Sequence, residues 1–307
     1  MEILLQKGVV FFMFQSYIRT DLALELRDNI SEEQRNRGVE IQEVHDKEHS
    51  VLQTHIRVIN KEGEKLLGKP IGNYITIESE LLCTDDEEIY EPVVTVLHDV
   101  LKNLIGKVNR LFVIGLGNRN ITPDALGPKV VDHLYITRHL IHEGVVKRAI
   151  EIAALSPGVM AQTGIETGTI IKSLCEEIQP DVVICVDALA ARDTKRLNTT
   201  IQVCDTGITP GAGVGNRRVT LSKETIGIPV IAIGVPTVIS MSAIVMNCVD
   251  GIFENIPDKY VRNSEQKLIT YLNDSSNESL FVTPKNIDEI VNRVSYTISE
   301  SINRFLT

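Results

Sequence analysis

The sequence LFVIGLGNRNITPDALGP, residues 111–128 of this 307-residue chain, is the clearest indication of its fold. Its first four residues, Leu111–Ile114, are apolar and lead directly into a loop rich in Gly, Asn and Asp. A short, wholly apolar strand that ends in such a loop is typical of a parallel sheet covered on both faces. The glycines also allow backbone conformations and close approaches that other residues resist.

The same alternation of apolar strand and helix continues along the chain. We predict further strands at Ala149–Ala154, Val182–Val186, Thr200–Val203 and Val230–Val235. We predict helices over Ala125–His142, Ile165–Ile178, Met241–Ile252 and Ile287–Phe305. The sequence therefore predicts an α/β fold, a mainly parallel sheet with helices on both faces.

The residues that precede this region show less pattern. We interpret the first 30 residues as an arm and residues 31–92 as polar and irregular, with strands only at Gln53–Ile59 and Ile75–Ile77. Residues Thr225–Val249 carry no charge, but Gly and Pro interrupt them, which favours a strand, a turn and a helix over a membrane span.

Composition excludes several classes of protein. The 31 basic and 41 acidic residues give a net charge of −10, which argues against nucleic acid or an anionic membrane as a partner. The five cysteines form no CxxC pair, so they indicate reduced thiols rather than a disulfide framework or a zinc site. We therefore expect a soluble, cytoplasmic protein.

The active site of such a sheet lies at the carboxyl ends of its strands. The loops that begin there place backbone N–H groups near any ligand, and we expect them to bind substrate or stabilise an oxyanion. The candidates in these loops are Gly115, Gly117, Asn118, Gly211, Gly213 and Gly215. Asn120 stands where a dinucleotide-binding fingerprint has its third glycine, which argues against that alternative.

Two aspartates in these loops are the candidates for catalysis. Asp124 and Asp187 each follow an apolar strand, although Asp124 could instead belong to a plain helix start and Asp187 could cap a loop. Two neighbouring carboxyl groups can share one proton, because burial and like-charge repulsion raise the pKa of one of them. Such a pair is sufficient to hydrolyse a peptide bond without a metal.

Several longer motifs resemble the germination proteases of endospore-forming bacteria. They are residues 114–118, 122–128, 156–160, 163–167, 186–192, 205–208, 213–216 and 227–238. The resemblance implies a fold similar to hydrogenase maturation proteases and an endopeptidase that degrades small acid-soluble spore proteins at germination. It also implies an atypical aspartic mechanism, in which the family's two acids match Asp124 and Asp187, with no cofactor and no bound metal. A homotetramer in the cytoplasm of the forespore and the spore core is implied as well.

The resemblance further implies a zymogen that removes its own N-terminal segment. Family members cut after an acid and before a hydrophobic residue followed by Ala, and Asp21-Leu22-Ala23 fits that pattern. We therefore expect residues 1–21 to be a propeptide and residues 22–307 a single α/β catalytic domain. Ile18 stands where family substrates have an acid, and the apolar first dozen residues differ from the family, so Met13 is an alternative start.

Three questions stay open at this point. We assign Asp124 as the ionised base and Asp187 as the protonated acid, although the reverse assignment is equally compatible with the residues. A metal-dependent peptidase that uses both aspartates with His133 or His139 is one alternative. A non-enzymatic protein whose glycine-rich loops bind a small ligand is the other.

Overall fold

The computed structural model describes seven stretches of the chain: residues 20–27, 37–46, 50–83, 90–147, 149–211, 218–253 and 280–306. The strands are β1 Val39–Asp46, β2 Val51–Val58, β3 Gly72–Glu78, β4 Arg110–Gly115, β5 Glu151–Leu155, β6 Val182–Ala191, β7 Thr200–Cys204, β8 Val230–Ser240 and β9 Phe281–Val282. The helices are α1 Ala23–Arg27, α2 Lys61–Leu67, α3 Tyr90–Ile105, α4 Leu126–Asp132, α5 Arg138–His142, α6 Met160–Thr163, α7 Thr167–Ile178, α8 Lys223–Ile226, α9 Met241–Phe253 and α10 Ile287–Asn303. Short 3-10 turns lie at Glu80–Cys83, Thr122–Asp124, Thr194–Arg196 and Arg304–Leu306.

All nine described strands form one sheet in the order β1-β2-β3-β7-β8-β6-β4-β5, with β9 paired to the end of β8. The half β8-β6-β4-β5 is parallel, as the sequence predicts. From β8 outward through β7, β3, β2 and β1 every pairing is antiparallel. The α/β class is therefore confirmed, with an antiparallel half added to the predicted parallel one.

Alternating side chains of the central strands contact helices on opposite faces of the sheet. Leu111 and Val113 of β4 lie in a cluster with residues of α3, α4 and α10. Phe112 and Ile114, which point the other way, lie in a cluster with Ile171 of α7 and with residues of α8. Burying a side chain of this size contributes about 1.5–3 kcal/mol. Both helical layers are thus held by the same short strands, which confirms helices on both faces.

A third cluster covers the antiparallel half on the face that α7 also occupies. It joins Leu24 of α1 and Leu67 of α2 to Ile56, Tyr74 and Cys204 of the strands. Residues 20–27, predicted as part of an arm, are therefore packed against the sheet. The prediction that residues 31–92 are mostly irregular was wrong, because β1 and α2 form there in addition to the two expected strands.

Tertiary contacts also change the length of predicted elements. The helix predicted over Ala125–His142 is two helices, because the residues between them bond elsewhere: the Tyr135 N–H donates to Asn303 Oδ1 (2.9 Å) and the Thr137 hydroxyl donates to the Ile150 carbonyl (2.6 Å). The strands β6 and β8 each extend several residues past the predicted end. Residues 225–249 contain β8 and most of α9, and the helices of the described stretches are too short or too polar to cross a membrane.

Candidate active site

A cavity of about 490 Å³ opens where the loops after β4 and β7 meet the C-terminal part of β6. Three carboxyl groups line it, from Asp21, Asp124 and Asp187. The structure therefore brings together the two aspartates predicted for catalysis, which are 63 positions apart in the chain, and adds the aspartate predicted to precede the cleavage point.

Asp124 closes the 3-10 turn that connects β4 to α4. Its Oδ2 accepts the backbone N–H of Asn118 at 2.7 Å. The alternative in which Asp124 belongs to a plain helix start is wrong, because α4 begins only at Leu126. The Thr122 hydroxyl caps no helix and donates to Asp288 Oδ1. Partial burial raises the pKa of Asp124, and the Asn118 N–H opposes that rise.

Gly117 allows the loop to wrap around Asp124. Its φ is +107°, a conformation that favours glycine, and a Cβ at this position would overlap the carbonyl oxygen of Asp124. Gly115 has a different reason to lack a side chain, since its Cβ would overlap the Gly127 carbonyl where α4 crosses β4. Gly115 therefore serves packing, while Gly117 lines the cavity.

Asp187 lies within β6 rather than at its end, opposite Gly234 of β8. Asp187 is 4% exposed, and its Oδ1 accepts the Ala188 N–H at 3.0 Å. The Ala188 and Gly211 N–H groups both act to lower its pKa. Burial is the main reason that the pKa of Asp187 lies well above its usual range, and the charges of Asp124 and Asp21 raise it further. Asp187 is thus the carboxyl group better suited to keep a proton.

The glycine-rich loops offer fewer free donors than predicted. The Asn118 N–H already donates to Asp124, so it positions an acid. Gly211 lines the cavity, and its N–H acts on the Asp187 carboxyl group. Gly213 and Gly215 lie outside the described residues.

Asp21 is held in the cavity by hydrogen bonds from its whole backbone and its side chain. Its N–H donates to the Ala190 carbonyl (3.4 Å), and its Oδ2 accepts the Ala190 N–H (3.2 Å). Its carbonyl oxygen accepts from Lys69 Nζ (2.9 Å) and from Gln202 Nε2 (3.2 Å). Burial raises the pKa of Asp21, while the Lys69 charge and the Ala190 N–H lower it.

The residues after Asp21 are also fixed. Leu22 and Ala23 are fully buried, and the Ala23 N–H donates to Gln202 Oε1 at 2.6 Å. The buried carboxylate of Glu25 accepts the backbone N–H groups of Arg192 and Asp193. The segment from Asp21 to Glu25 is therefore held in one defined position, with Asp21 in the lining of the cavity.

Lys69, Gln202 and Glu25 were missed by sequence reasoning. Lys69 and Gln202 lie 48 and 181 positions from Asp21 and belong to no motif. Gln202 carried one usable signal: it is a polar residue on a short strand that is otherwise apolar or β-branched, Thr200–Cys204. A buried polar side chain needs a hydrogen-bond partner, so a polar residue on such a strand is a candidate for a specific contact.

The histidines of the metal-dependent alternative do not join the aspartates. His133 and His139 are exposed and are not among the residues lining the cavity, and the His133 ring contacts Tyr296 at 6.0 Å between centroids. Within the seven described stretches, no three His, Cys, Asp or Glu side chains are grouped as a metal site would require. A further aspartate, Asp205 in the loop after β7, serves the structure of the loop. Its carboxylate accepts both the backbone and the side-chain N–H of Asn73.

Comparison with a sequence model of the germination protease family matches residues 20–267 of this chain. A germination protease from Clostridium perfringens is 42% identical over 306 residues, which cover 93% of this chain and 94% of that protein. The germination proteases of Caldanaerobacter subterraneus subsp. tengcongensis and Bacillus subtilis are 40% and 37% identical, over 93% and 95% of this chain and 93% and 94% of their own lengths.

Among solved structures, a NiFe hydrogenase maturation protease from Thermococcus kodakarensis aligns with 66% of this chain and 98% of its own, at 19% identity and a TM-score of 0.35. A similarity at that level carries no argument about this site. The family match and the identities above 35% across nearly the full length are decisive. The chain belongs to the germination protease family, and it is an endopeptidase with a role in spore germination.

Proposed function

We propose that this chain is a self-processing zymogen in which Asp124 and Asp187 hydrolyse the bond between Asp21 and Leu22. The observation that carries the proposal is the position of Asp21: it lies in the same cavity as both acids, with its backbone held on both sides of the residue. Residues 1–21 would then be the propeptide, and the chain from Leu22 onward the mature enzyme.

The two acids divide the chemistry according to their surroundings. The Asp124 carboxylate removes a proton from water as the water oxygen bonds to the carbonyl carbon of residue 21, and Asp187 gives its proton to the carbonyl oxygen. The tetrahedral intermediate then has two hydroxyl groups. When the C–N bond breaks, Asp124 returns its proton to the Leu22 nitrogen, and one hydroxyl returns a proton to Asp187. Both acids end as they began.

The segment Asp21-Leu22-Ala23 supports a specificity for cleavage between an acidic residue and a hydrophobic residue, with Ala next in the chain. Leu22 and Ala23 are both fully buried, so the position of Leu22 favours an apolar side chain and that of Ala23 favours a small one. We propose that small acid-soluble spore proteins present the same pattern to the same cavity, in the forespore and spore core. A homotetramer is part of this proposal.

Self-cleavage of the full-length chain tests the proposal. We expect incubation to release residues 1–21 and leave Leu22 as the new N-terminal residue, measured by intact mass and N-terminal sequencing. Asp124→Asn and Asp187→Asn should each abolish this cleavage while the far-UV circular dichroism stays unchanged. Asp132→Asn, an exposed change outside the cavity, is the matched control.

Two results would contradict the proposal. Cleavage at the wild-type rate in either cavity variant would remove that aspartate from the mechanism. A wild-type chain that never cuts after Asp21 would contradict the proposal that the protein is a self-processing zymogen. Loss of cleavage in chelator, restored by a divalent cation, would instead favour the metal-dependent alternative.

A further inference from the structure

Gln202 contacts the chain on both sides of the Asp21–Leu22 bond. Its Nε2 donates to the carbonyl oxygen of Asp21 (3.2 Å), and its Oε1 accepts the N–H of Ala23 (2.6 Å). One side-chain amide therefore reproduces the pair of hydrogen bonds that a neighbouring β-strand would make to an extended peptide. Because the two contacts span the bond, they fix the rotation of its peptide plane within the cavity.

Lys69 reaches the same carbonyl oxygen from a different element of the antiparallel half. It lies in the connection between α2 and β3, and its Nζ donates to Asp21 O at 2.9 Å. Its positive charge also acts on the Asp21 carboxyl group. Lys69 thus contacts the group that reacts and attracts the side chain that the cleavage pattern requires.

We propose that Lys69 and Gln202 form a carbonyl clamp, in which Gln202 orients the bond to be cut and Lys69 both polarises its carbonyl and selects an acidic residue before it. This inference rests on the proposed self-cleavage after Asp21. It assigns two residues outside the glycine-rich loops, where the sequence predicts the oxyanion donors. One amide of those loops, Asn118 N–H, already donates to Asp124.

The chemistry requires donors at this oxygen. As water attacks, electron density moves from the C=O bond onto the oxygen before the Asp187 proton has fully transferred. Preorganised donors that face this oxygen stabilise the developing charge, and removing one such donor typically slows a hydrolase about 100-fold. An ammonium group and a side-chain amide at 2.9 and 3.2 Å are within the required reach.

The test compares self-cleavage rates of five full-length variants. Lys69→Met and Gln202→Met should each slow cleavage about 100-fold. Lys65→Met and Gln42→Met, which change exposed residues of the same types on α2 and β1, should cleave at the wild-type rate. Thermal unfolding of every variant shows whether the fold is kept, and Lys69→Arg, which keeps a charged donor, should recover most of the rate.

A second comparison separates the role of Lys69 from that of Gln202. Asp21→Asn should slow cleavage in the wild-type background and in Gln202→Met by the same factor, because Gln202 contacts only the backbone. In Lys69→Met the same substitution should change the rate far less, because the charge that recognises the carboxylate is gone. If the role of Lys69 were purely structural, Asp21→Asn would slow self-cleavage by the same factor in Lys69→Met as in the wild type.

The clamp is overturned if Lys69→Met and Gln202→Met cleave as fast as the wild type, or faster, since faster cleavage would mean that these contacts restrain the segment. It is also overturned if Asp21→Asn slows self-cleavage by the same factor in the wild type and in Lys69→Met. The proposed function is judged separately: it fails if the wild-type chain does not cut after Asp21 or if Asp124→Asn still does.

Discussion

Asp187 and Gln202 flank Gly234 in one row of the sheet, Asp187 from the parallel neighbour β6 and Gln202 from the antiparallel neighbour β7. Residues in register across a sheet project from the same face, so both side chains enter the cavity, with their Cα atoms about 10 Å apart across two strand spacings. Gly234, between them, has no side chain. The predicted acid and the clamp residue therefore line the same cavity from the two strands on either side of β8.

Gly234 should be essential to this row. An added Cβ would lie 2.6 Å from Leu189 Cγ and closer still to Cδ1, so Gly234→Ala must displace the Leu189 side chain within a buried strand. We expect a loss of about 1–3 kcal/mol in the free energy of unfolding, measured by urea titration, together with slower self-cleavage. Gly168→Ala in α7 is the control, because its Cβ would make only ordinary contacts, at 3.6 Å, with Val219 and Leu221. Equal stability of the two variants would contradict the packing argument.

Ala23 should tolerate no larger side chain. It is fully buried in the cluster that holds α1 against the sheet, and its N–H reaches Gln202. Overpacking typically costs about 1–3 kcal/mol, and here the cost falls on the docking of the segment to be cut. Ala23→Val should therefore slow self-cleavage by about tenfold or more, followed by gel densitometry. Ala161→Val, at an exposed position of α6, should leave the rate unchanged.

Glu25 should hold α1 in place before and after cleavage. Its buried carboxylate accepts N–H groups of Arg192 and Asp193, and Arg196 Nη1 lies 3.7 Å from Oε1. Glu25→Gln replaces one acceptor oxygen with a donor and removes the charge, which costs about 1–3 kcal/mol for a buried group. We expect faster hydrogen–deuterium exchange over residues 20–27 in this variant. The exposed change Glu40→Gln should leave that exchange as in the wild type.

Asp187 should lower the stability of the protein at neutral pH. The pKa of its carboxyl group is raised in the folded state, so this group favours folding when it is protonated, and the benefit is lost as the pH rises toward its folded-state pKa. Asp187→Asn, which cannot ionise, should therefore unfold at a temperature a few degrees higher than the wild type at pH 7. The difference should shrink as the pH falls to 4. An increase of the difference on acidification, measured by calorimetry, would show that the sign is wrong.

Local patterns were enough to predict the parallel half of the sheet and both catalytic candidates. Short apolar strands such as Leu111–Ile114 can only be buried between two layers, and the loops at their carboxyl ends are forced to one edge. In the antiparallel half, the sequence predicts strands within β2, β3 and β7 but misses β1 and the antiparallel direction of the pairing. β1 is an edge strand in which Val39 is the only buried apolar residue, and polar residues separate it from Ile41 and Val44. Strand ends were missed where pairing with a neighbour extended them, as in β6 beyond Val186.

By itself, the sequence determined which strands form the centre of the sheet, which two aspartates follow them, and that Asp21-Leu22-Ala23 has the form of a substrate. These properties are carried by residues close together in the chain. The folded chain alone reveals that Asp21 lies in the cavity and that Lys69 and Gln202 donate to its carbonyl oxygen. Hydrogen bonds between residues 48 and 181 positions apart depend on strand order and register, which no local pattern encodes.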